Sequence, residues 1–245
     1  MNNFSIIIPA RFKSSRFPGK PLVDILGKSL LKHVWDKCTE ASHQNNIYVA
    51  TDDSRIEKHC HEQGMKVIMT SPDCLTGTDR VFEASQQINS DFFINVQGDE
   101  PLIKPDDIKK MISSISFIDK TTLINAQCKI NDEKDFFNPN IPKTITDLDS
   151  NLLYISRAPI PFNKDKKFIH AKKQVCIYGF SKQQLSTFYN CRTKTPIELI
   201  EDIEVLRFLE LGFQIKMIDV SSSSVAVDVP SDAEYVKKLI LSNKE

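Results

Sequence analysis

Strand-like and helix-like segments take turns along the first half of this chain, and that alternation leaves few folds open. Phe4-Ser-Ile-Ile-Ile-Pro-Ala10 carries almost no polar interruption, which predicts a strand covered on both faces. Leu30, Leu31, Val34 and Cys38 then recur at helical spacing within Ser29 to Ala41. Asn46 to Thr51 and Lys66 to Thr70 predict two further strands. Between them a helix is expected to open on a Ser54-x-x-Glu57 capping box and to stop at Gly64. A helix beginning near Thr78 leads to a fourth strand, Asp91 to Gln97, and a sharp Gly98-Asp99-Glu100-Pro101 turn. Pro105 suits the first turn of the next helix. Strands separated by helices make right-handed βαβ units on a largely parallel sheet, so the fold class is α/β. Ligands on such sheets bind beyond the carboxyl ends of the strands, where the loops starting at Arg11, Asp52 and Gly98 lie.

Past about Cys128 the rhythm changes. Lys143 to Asp147 and Leu152 to Ser156 flank Leu148-Asp-Ser-Asn151 and predict a β-hairpin. Pro159, Pro161 and a lysine-rich loop from Lys164 to Lys173 follow, then a strand from Val175 to Phe180. Two helices come next, the second from Ile197 to Leu211 with Gly212 as its stop. Phe213 to Val220, Val225 to Val227 and a terminal helix capped by Ser231-x-x-Glu234 are expected to return to the main sheet.

Charge and cysteine usage remove several function classes. The chain has 32 basic and 32 acidic residues among 245, so binding nucleic acid mainly through charge is not expected, and no aromatic stacking stripe stands out. Six scattered cysteines without a C-x-x-C pair make neither a zinc framework nor a secreted disulfide scaffold. The start lacks a positive segment, and Ile6-Ile7-Ile8 stops at Pro9, so neither a signal peptide nor a membrane partner is expected and the location is read as cytoplasmic.

The chemistry-bearing residues collect at strand ends. Arg11, Lys13, Arg16 and Lys20 fall within ten residues, interleaved with Ser14, Ser15 and Gly19. Such a loop suits a polyphosphate, with backbone N–H groups cradling oxygens, although composition alone equally allows a solvated basic loop. Gly27-Lys28-Ser29 imitates the end of a P-loop, but Leu22 stands where the earlier glycine is required. His59-Cys60-His61-Glu62 points in divergent directions on a helix and is read as surface. Asp99 and Asp228 each end a strand-like run, and paired carboxylates there suit Mg²⁺, which takes one or two protein carboxylates. A turn or cap role remains the alternative for either alone.

These residues fall within longer motifs. Pro9-Ala-Arg-x-x-Ser-Ser-Arg-x-Pro-Gly-Lys-Pro-Leu22, Val49-Ala-Thr-Asp-Asp53, Gly77-Thr-Asp-Arg80 and Asn95-Val-Gln-Gly-Asp-Glu-Pro101 follow one another in order. Tyr154-Ile-Ser-Arg-Ala-Pro-Ile-Pro161, Ile177-Tyr-Gly-Phe180 and Val227-Asp-Val-Pro230 continue the series. From residue 5 to about 240 the chain resembles the 3-deoxy-manno-octulosonate (Kdo) cytidylyltransferases. The resemblance implies a Rossmann-like nucleotidyltransferase fold with a mostly parallel mixed sheet and a smaller β-rich dimerisation lobe. It divides the chain into a nucleotide-binding lobe, 1–128 plus 205–245, and a sugar-binding and dimerisation lobe, 129–204.

The implied reaction joins CTP to an eight-carbon ulosonic acid with Mg²⁺, supplying surface-glycan synthesis from a homodimer. Carried over by position, Arg11, Ser14, Ser15, Arg16 and Lys20 hold the triphosphate, and Thr76, Gly77 and Arg80 border the nucleotide. Asp99 and Asp228 match metal ligands and, with Lys20, the catalytic group; Gln97, Arg157, Gln174, Tyr178 and Glu204 match sugar contacts. Arg157 is expected to take the sugar carboxylate as a bidentate pair. Two motifs depart from the family. Gln174-Val-Cys176 stands where His-x-Gly is usual, and Val205, which offers no side-chain hydrogen bond, stands where glutamine is usual. Kdo is the expected sugar, with a modified octulosonic or a nonulosonic acid, or a non-catalytic CTP-binding role, as alternatives.

Overall fold

The computed structural model describes residues 3–14, 16–221 and 225–242. The strands are β1 (Phe4–Ala10), β2 (Asp24–Ile25), β3 (Lys28–Ser29), β4 (Ile47–Thr51), β5 (Val67–Met69), β6 (Phe92–Val96), β7 (Thr122–Lys129), β8 (Lys143–Thr146), β9 (Leu152–Ser156), β10 (Lys172–Ser181) and β11 (Gln214–Asp219). The helices are α1 (Leu30–Ala41), α2 (Ser54–Glu62), α3 (Gly77–Ser85), α4 (Pro105–Ser113), α5 (Glu133–Phe137), α6 (Lys182–Asn190), α7 (Pro196–Glu201), α8 (Val205–Glu210) and α9 (Pro230–Ser242). Among the described residues, no helix is long and apolar enough to cross a membrane.

One sheet runs β11-β7-β10-β6-β1-β4-β5, with the β8–β9 hairpin attached to β10. The β6-β1-β4-β5 block is parallel, as is β7 with β11; β10 lies antiparallel between β6 and β7. The unbroken apolar run of β1 explains its central place. Ile6 and Ile8 enter a core with Leu31, Val34 and Ile108 from α1 and α4, while Ile7 faces Val81, Phe188 and Phe208 from α3, α6 and α8. Both faces of the sheet are therefore covered, as the hydrophobic run required. β10 falls within the 129–204 stretch, yet its hydrogen bonds lie in the middle of this sheet.

The structure corrects several local expectations. The cap of α2 is Asp53, whose carboxylate accepts from Arg55 N–H at 3.0 Å, so Ser54 opens the helix proper rather than capping it. The helix expected from Ile197 to Leu211 is two helices, α7 and α8, parted by Asp202 in the left-handed region at φ 51°. Aspartate tolerates that conformation better than most residues. Residues 225–227 form no strand; instead Val227 N–H donates to the Asp99 carbonyl at 2.8 Å. α9 begins at Pro230, and Asp232 rather than Ser231 turns back, accepting from the N–H groups of Asp228 (2.9 Å) and Val229 (3.0 Å). β7 escaped notice because buried Asn125 and Gln127 interrupt its apolar run.

Candidate active site

The first wall of the site forms where β1 and β6 end. The loop after β1 returns through Gly19, whose N–H donates to the Phe12 carbonyl at 2.9 Å, and delivers Lys20 to the strand ends. Lys20 Nζ lies 2.8 Å from Asp99 Oδ2 and 3.4 Å from Asp228 Oδ1, and Arg16 reaches Asp228 Oδ1 at 3.2 Å. Asp99 is held at the turn after β6 because Gly98 packs directly against β1. A Cβ at Gly98 would stand 2.8 Å from the Pro9 carbonyl, so a larger residue would push these two loops apart.

The second wall is the amino end of α3. Thr76 caps it, and the Asp79 carboxylate accepts from Thr76 N–H at 2.8 Å and Thr76 Oγ1 at 2.7 Å. Gly77 lets Gln97 lie against the loop, since a Cβ there would meet Gln97 Nε2 at 2.8 Å. The break at Asp202 completes the pocket by turning Glu204 inward. Its carboxylate accepts from Gln97 Nε2 at 3.0 Å and Thr78 N–H at 3.2 Å. Burial pushes the Glu204 carboxyl up, and the Thr78 N–H only partly offsets this. Asp202 is held below the usual carboxylate range chiefly by Lys194, whose Nζ lies 2.5 Å away.

These groups surround a cavity of about 360 Å³, a size within the range of small-molecule sites. Arg11, Ser14, Arg16, Lys20, Thr76, Gly77, Arg80, Gln97, Asp99, Glu204 and Asp228 all line it, as residues singled out from sequence. Ser15 lies outside the described residues. Cys74, Leu75, Lys194, Glu198 and Asp202 also line the cavity and were not anticipated. The Thr195-x-x-Glu198 spacing signals a cap, but without the break after α7 it gives no reason to look for a pocket wall there.

Three expected sugar contacts do not line this cavity. Arg157 spends its donors on backbone carbonyls: Nε on Glu201 at 2.5 Å, Nη1 on Pro139 at 3.0 Å and Nη2 on Asp202 at 3.0 Å. Gln174 donates to Asn125 Oδ1 at 2.9 Å, and Asn125 in turn donates to the Val175 and Ile177 carbonyls across a bulge in β10. Tyr178 is buried against Phe180, and burial pushes its hydroxyl and the Cys176 thiol well up. Val205 is also corrected. It is fully buried in the apolar cluster with Leu206 and Phe208, so its lack of a hydrogen bond is a packing feature of the core.

Asp99 and Asp228 already converge on one cation, the Lys20 ammonium, and offer only oxygen donors. That donor set fits Mg²⁺, which keeps most of its shell for water and phosphate.

A central, mostly parallel sheet with a cation-rich loop and Asp99 at its strand ends, joined there by Asp228 from the segment ahead of α9, defines a nucleotidyltransferase of the α/β class. The family profile described as cytidylyltransferase matches residues 5–218. A 3-deoxy-manno-octulosonate cytidylyltransferase of Geobacter sulfurreducens is 39% identical, the match spanning 96% of this chain and 98% of that protein. An 8-amino-3,8-dideoxy-manno-octulosonate cytidylyltransferase of Shewanella halifaxensis is also 39% identical, over 94% of this chain and 95% of that protein. The solved structure of CMP:2-keto-3-deoxy-manno-octonic acid synthetase complexed with CTP superposes with a TM-score of 0.91 at 32% identity, covering 99% of this chain and 100% of that one. The chain belongs to the cytidylyltransferase family.

Proposed function

We propose that this enzyme transfers CMP from CTP to the anomeric hydroxyl of Kdo, releasing pyrophosphate and supplying an activated sugar for lipopolysaccharide or another surface glycan. The observation that carries the reading is the single cavity joining the Lys20–Asp99–Asp228 cluster to the Gln97–Glu204 pair. In it Arg11, Arg16 and Lys20 neutralise the triphosphate, and the Thr76-Gly77 loop orders the nucleotide at the amino end of α3. Asp99 and Asp228 hold Mg²⁺, which when bound withdraws charge from the triphosphate and favours attack at the α-phosphorus. Glu204 and Gln97 orient the sugar acid so that its anomeric oxygen faces that phosphorus. Lys20, with its side chain only 15% exposed, is placed to stabilise the departing charge as pyrophosphate leaves.

A modified octulosonic acid is the second reading, favoured by the equal 39% identity to the 8-amino-3,8-dideoxy-manno-octulosonate cytidylyltransferase and to the Kdo cytidylyltransferase. Residues 129–204 are proposed to supply that side and a dimer face. Leu153 on β9 with Leu199 and Ile200 on α7 are 61%, 66% and 83% exposed, and the Tyr154 hydroxyl reaches Glu201 at 3.4 Å across the two elements. A two-fold dimer covering them is the commonest homo-oligomer. The test of the function is pyrophosphate release from CTP and Mg²⁺ with Kdo, its 8-amino analogue and a nonulosonic acid. Release with Kdo is expected to be fastest. Faster release with the 8-amino sugar selects the second reading, and release with none of the three overturns both.

A further inference from the structure

Arg207 sits in α8 with no exposed surface, yet every nitrogen of its guanidinium has an acidic partner. Nε and Nη2 donate to the two oxygens of Glu198 at 2.7 Å each, and Nη1 reaches Asp79 Oδ1 at 3.3 Å. The guanidinium carbon lies 3.9 Å from the centre of the Phe188 ring, which closes one face. Arg207 thus connects two elements distant in sequence, α3 through Asp79 and α7 through Glu198.

Each partner leads directly to a wall of the cavity. The second oxygen of Asp79 takes the N–H and hydroxyl of Thr76, and Thr76 and Gly77 line the nucleotide side. Glu198 lines the cavity itself, between Lys194 and Asp202 at the two ends of α7. Glu204, just ahead of α8, bonds to both Thr78 N–H and Gln97 Nε2. Arg207 itself is absent from the lining.

We propose that Arg207 is a positioning residue that holds the α3 and α7 walls at substrate-binding distance while touching neither substrate. The proposal rests on the cytidylyl-transfer reading above. Two buried carboxylates repel unless a cation lies between them, and a planar fork can satisfy one bidentately while reaching the other. A lysine keeps the charge but presents a single point, so one of the two ties must loosen. The loosened walls hold both substrates less well in the ground state, and Lys20, Asp99 and Asp228, in the segments after β1 and β6 and ahead of α9, stay where they are. Loss of binding without loss of the chemical step raises KM and spares kcat.

The experiment is steady-state kinetics of Arg207→Lys, with active sites titrated, well below its melting temperature. KM for CTP and for the sugar acid are each expected to rise about tenfold, with kcat per active site within about threefold of wild type. Asp79→Asn gives an independent reading that leaves the Arg207–Glu198 fork intact. The charge tie to α3 is lost while the Asn oxygen can still accept from Thr76, so KM for CTP is expected to rise more than KM for the sugar. Ile108→Ala, a core variant on the opposite face of the sheet, is expected to lower the melting temperature with both KM values unchanged. If the Arg207 and Asp79 variants behave like Ile108→Ala, the residue is scaffolding and the proposal fails. Wild-type enzyme that releases no pyrophosphate sinks the function itself; an active wild type with unmoved KM in both variants sinks only the positioning role.

Discussion

Lys20 with Asp99 and Asp228 at one end of the cavity, and Arg207 with Glu198 and Asp79 behind the other wall, use the same arrangement in opposite surroundings. In the first, side-chain exposures are 15%, 29% and 40%, and Arg16 alongside is 59% exposed. In the second they are 0%, 1% and 5%. Water reaches the first set, so exchanging its partners for phosphate or metal would cost little. The second set has lost its water and survives only because each charge is paired. On the proposed function one cluster binds and the other holds shape, and the difference is made by burial rather than by residue type.

The comparison is most sharply tested by Asp99→Asn and Asp228→Asn. Each is expected to lower turnover by far more than tenfold, through loss of a metal-derived charge effect, with the melting temperature nearly unchanged. Retention of more than about a tenth of wild-type activity, a loss of only ~1.4 kcal/mol, removes that residue from the metal assignment. Next in size is the contrast in stability. Arg207→Met is expected to cost about 3–5 kcal/mol in urea unfolding, because two buried carboxylates lose their cation. Arg16→Met removes an exposed pair and is expected to cost about 1 kcal/mol or less. Equal losses in the two variants would mean that burial does not separate the clusters.

The smallest effect concerns a buried cation that, among the described residues, forms no ion pair. Lys143 has no exposed surface and donates to the carbonyls of Asn138 (2.9 Å) and Arg157 (2.6 Å). Burial lowers its ammonium to about 8, with the neighbouring Arg157 charge adding to the effect. Between about 8 and the ordinary lysine value of 10.5 the unfolded chain binds the extra proton and the folded chain does not. Stability from this group therefore rises with pH across that window. Urea unfolding of wild type and Lys143→Met at both ends of the window is expected to show wild type gaining on the variant as pH increases. A constant gap would show that Lys143 keeps its proton when folded, as Arg207 does.

Much of the frame was legible along the chain. The apolar run of β1 required a central strand, and the Gly98-Asp99-Glu100-Pro101 turn placed a carboxylate at a strand end. The cation-rich loop was legible for the same reason: its residues act within a few positions of one another, and local spacing survives folding. Corrections fall where a local signal had a stronger rival nearby, as at the helix start where Asp53 displaced Ser54.

Arg157, Gln174 and Tyr178 matched sugar contacts in sequence, and position alone did not show their partners in the fold: backbone carbonyls, Asn125 and the core. Val205 is packed in the core, since nothing in Glu204-Val205 tells which of two neighbours turns into the cavity once the helix is broken.

Periodicity and turn chemistry depend on neighbours within a few residues, so the order of elements, the buried strands and the residues at the strand ends could be read from the chain alone. The antiparallel insertion of β10, the turn of Glu204 into the cavity and the joining of Asp79 to Arg207 across 128 positions depend on which distant surfaces pack together. A buried charge finds its partner only when water has been excluded from both, and that happens only in the assembled core.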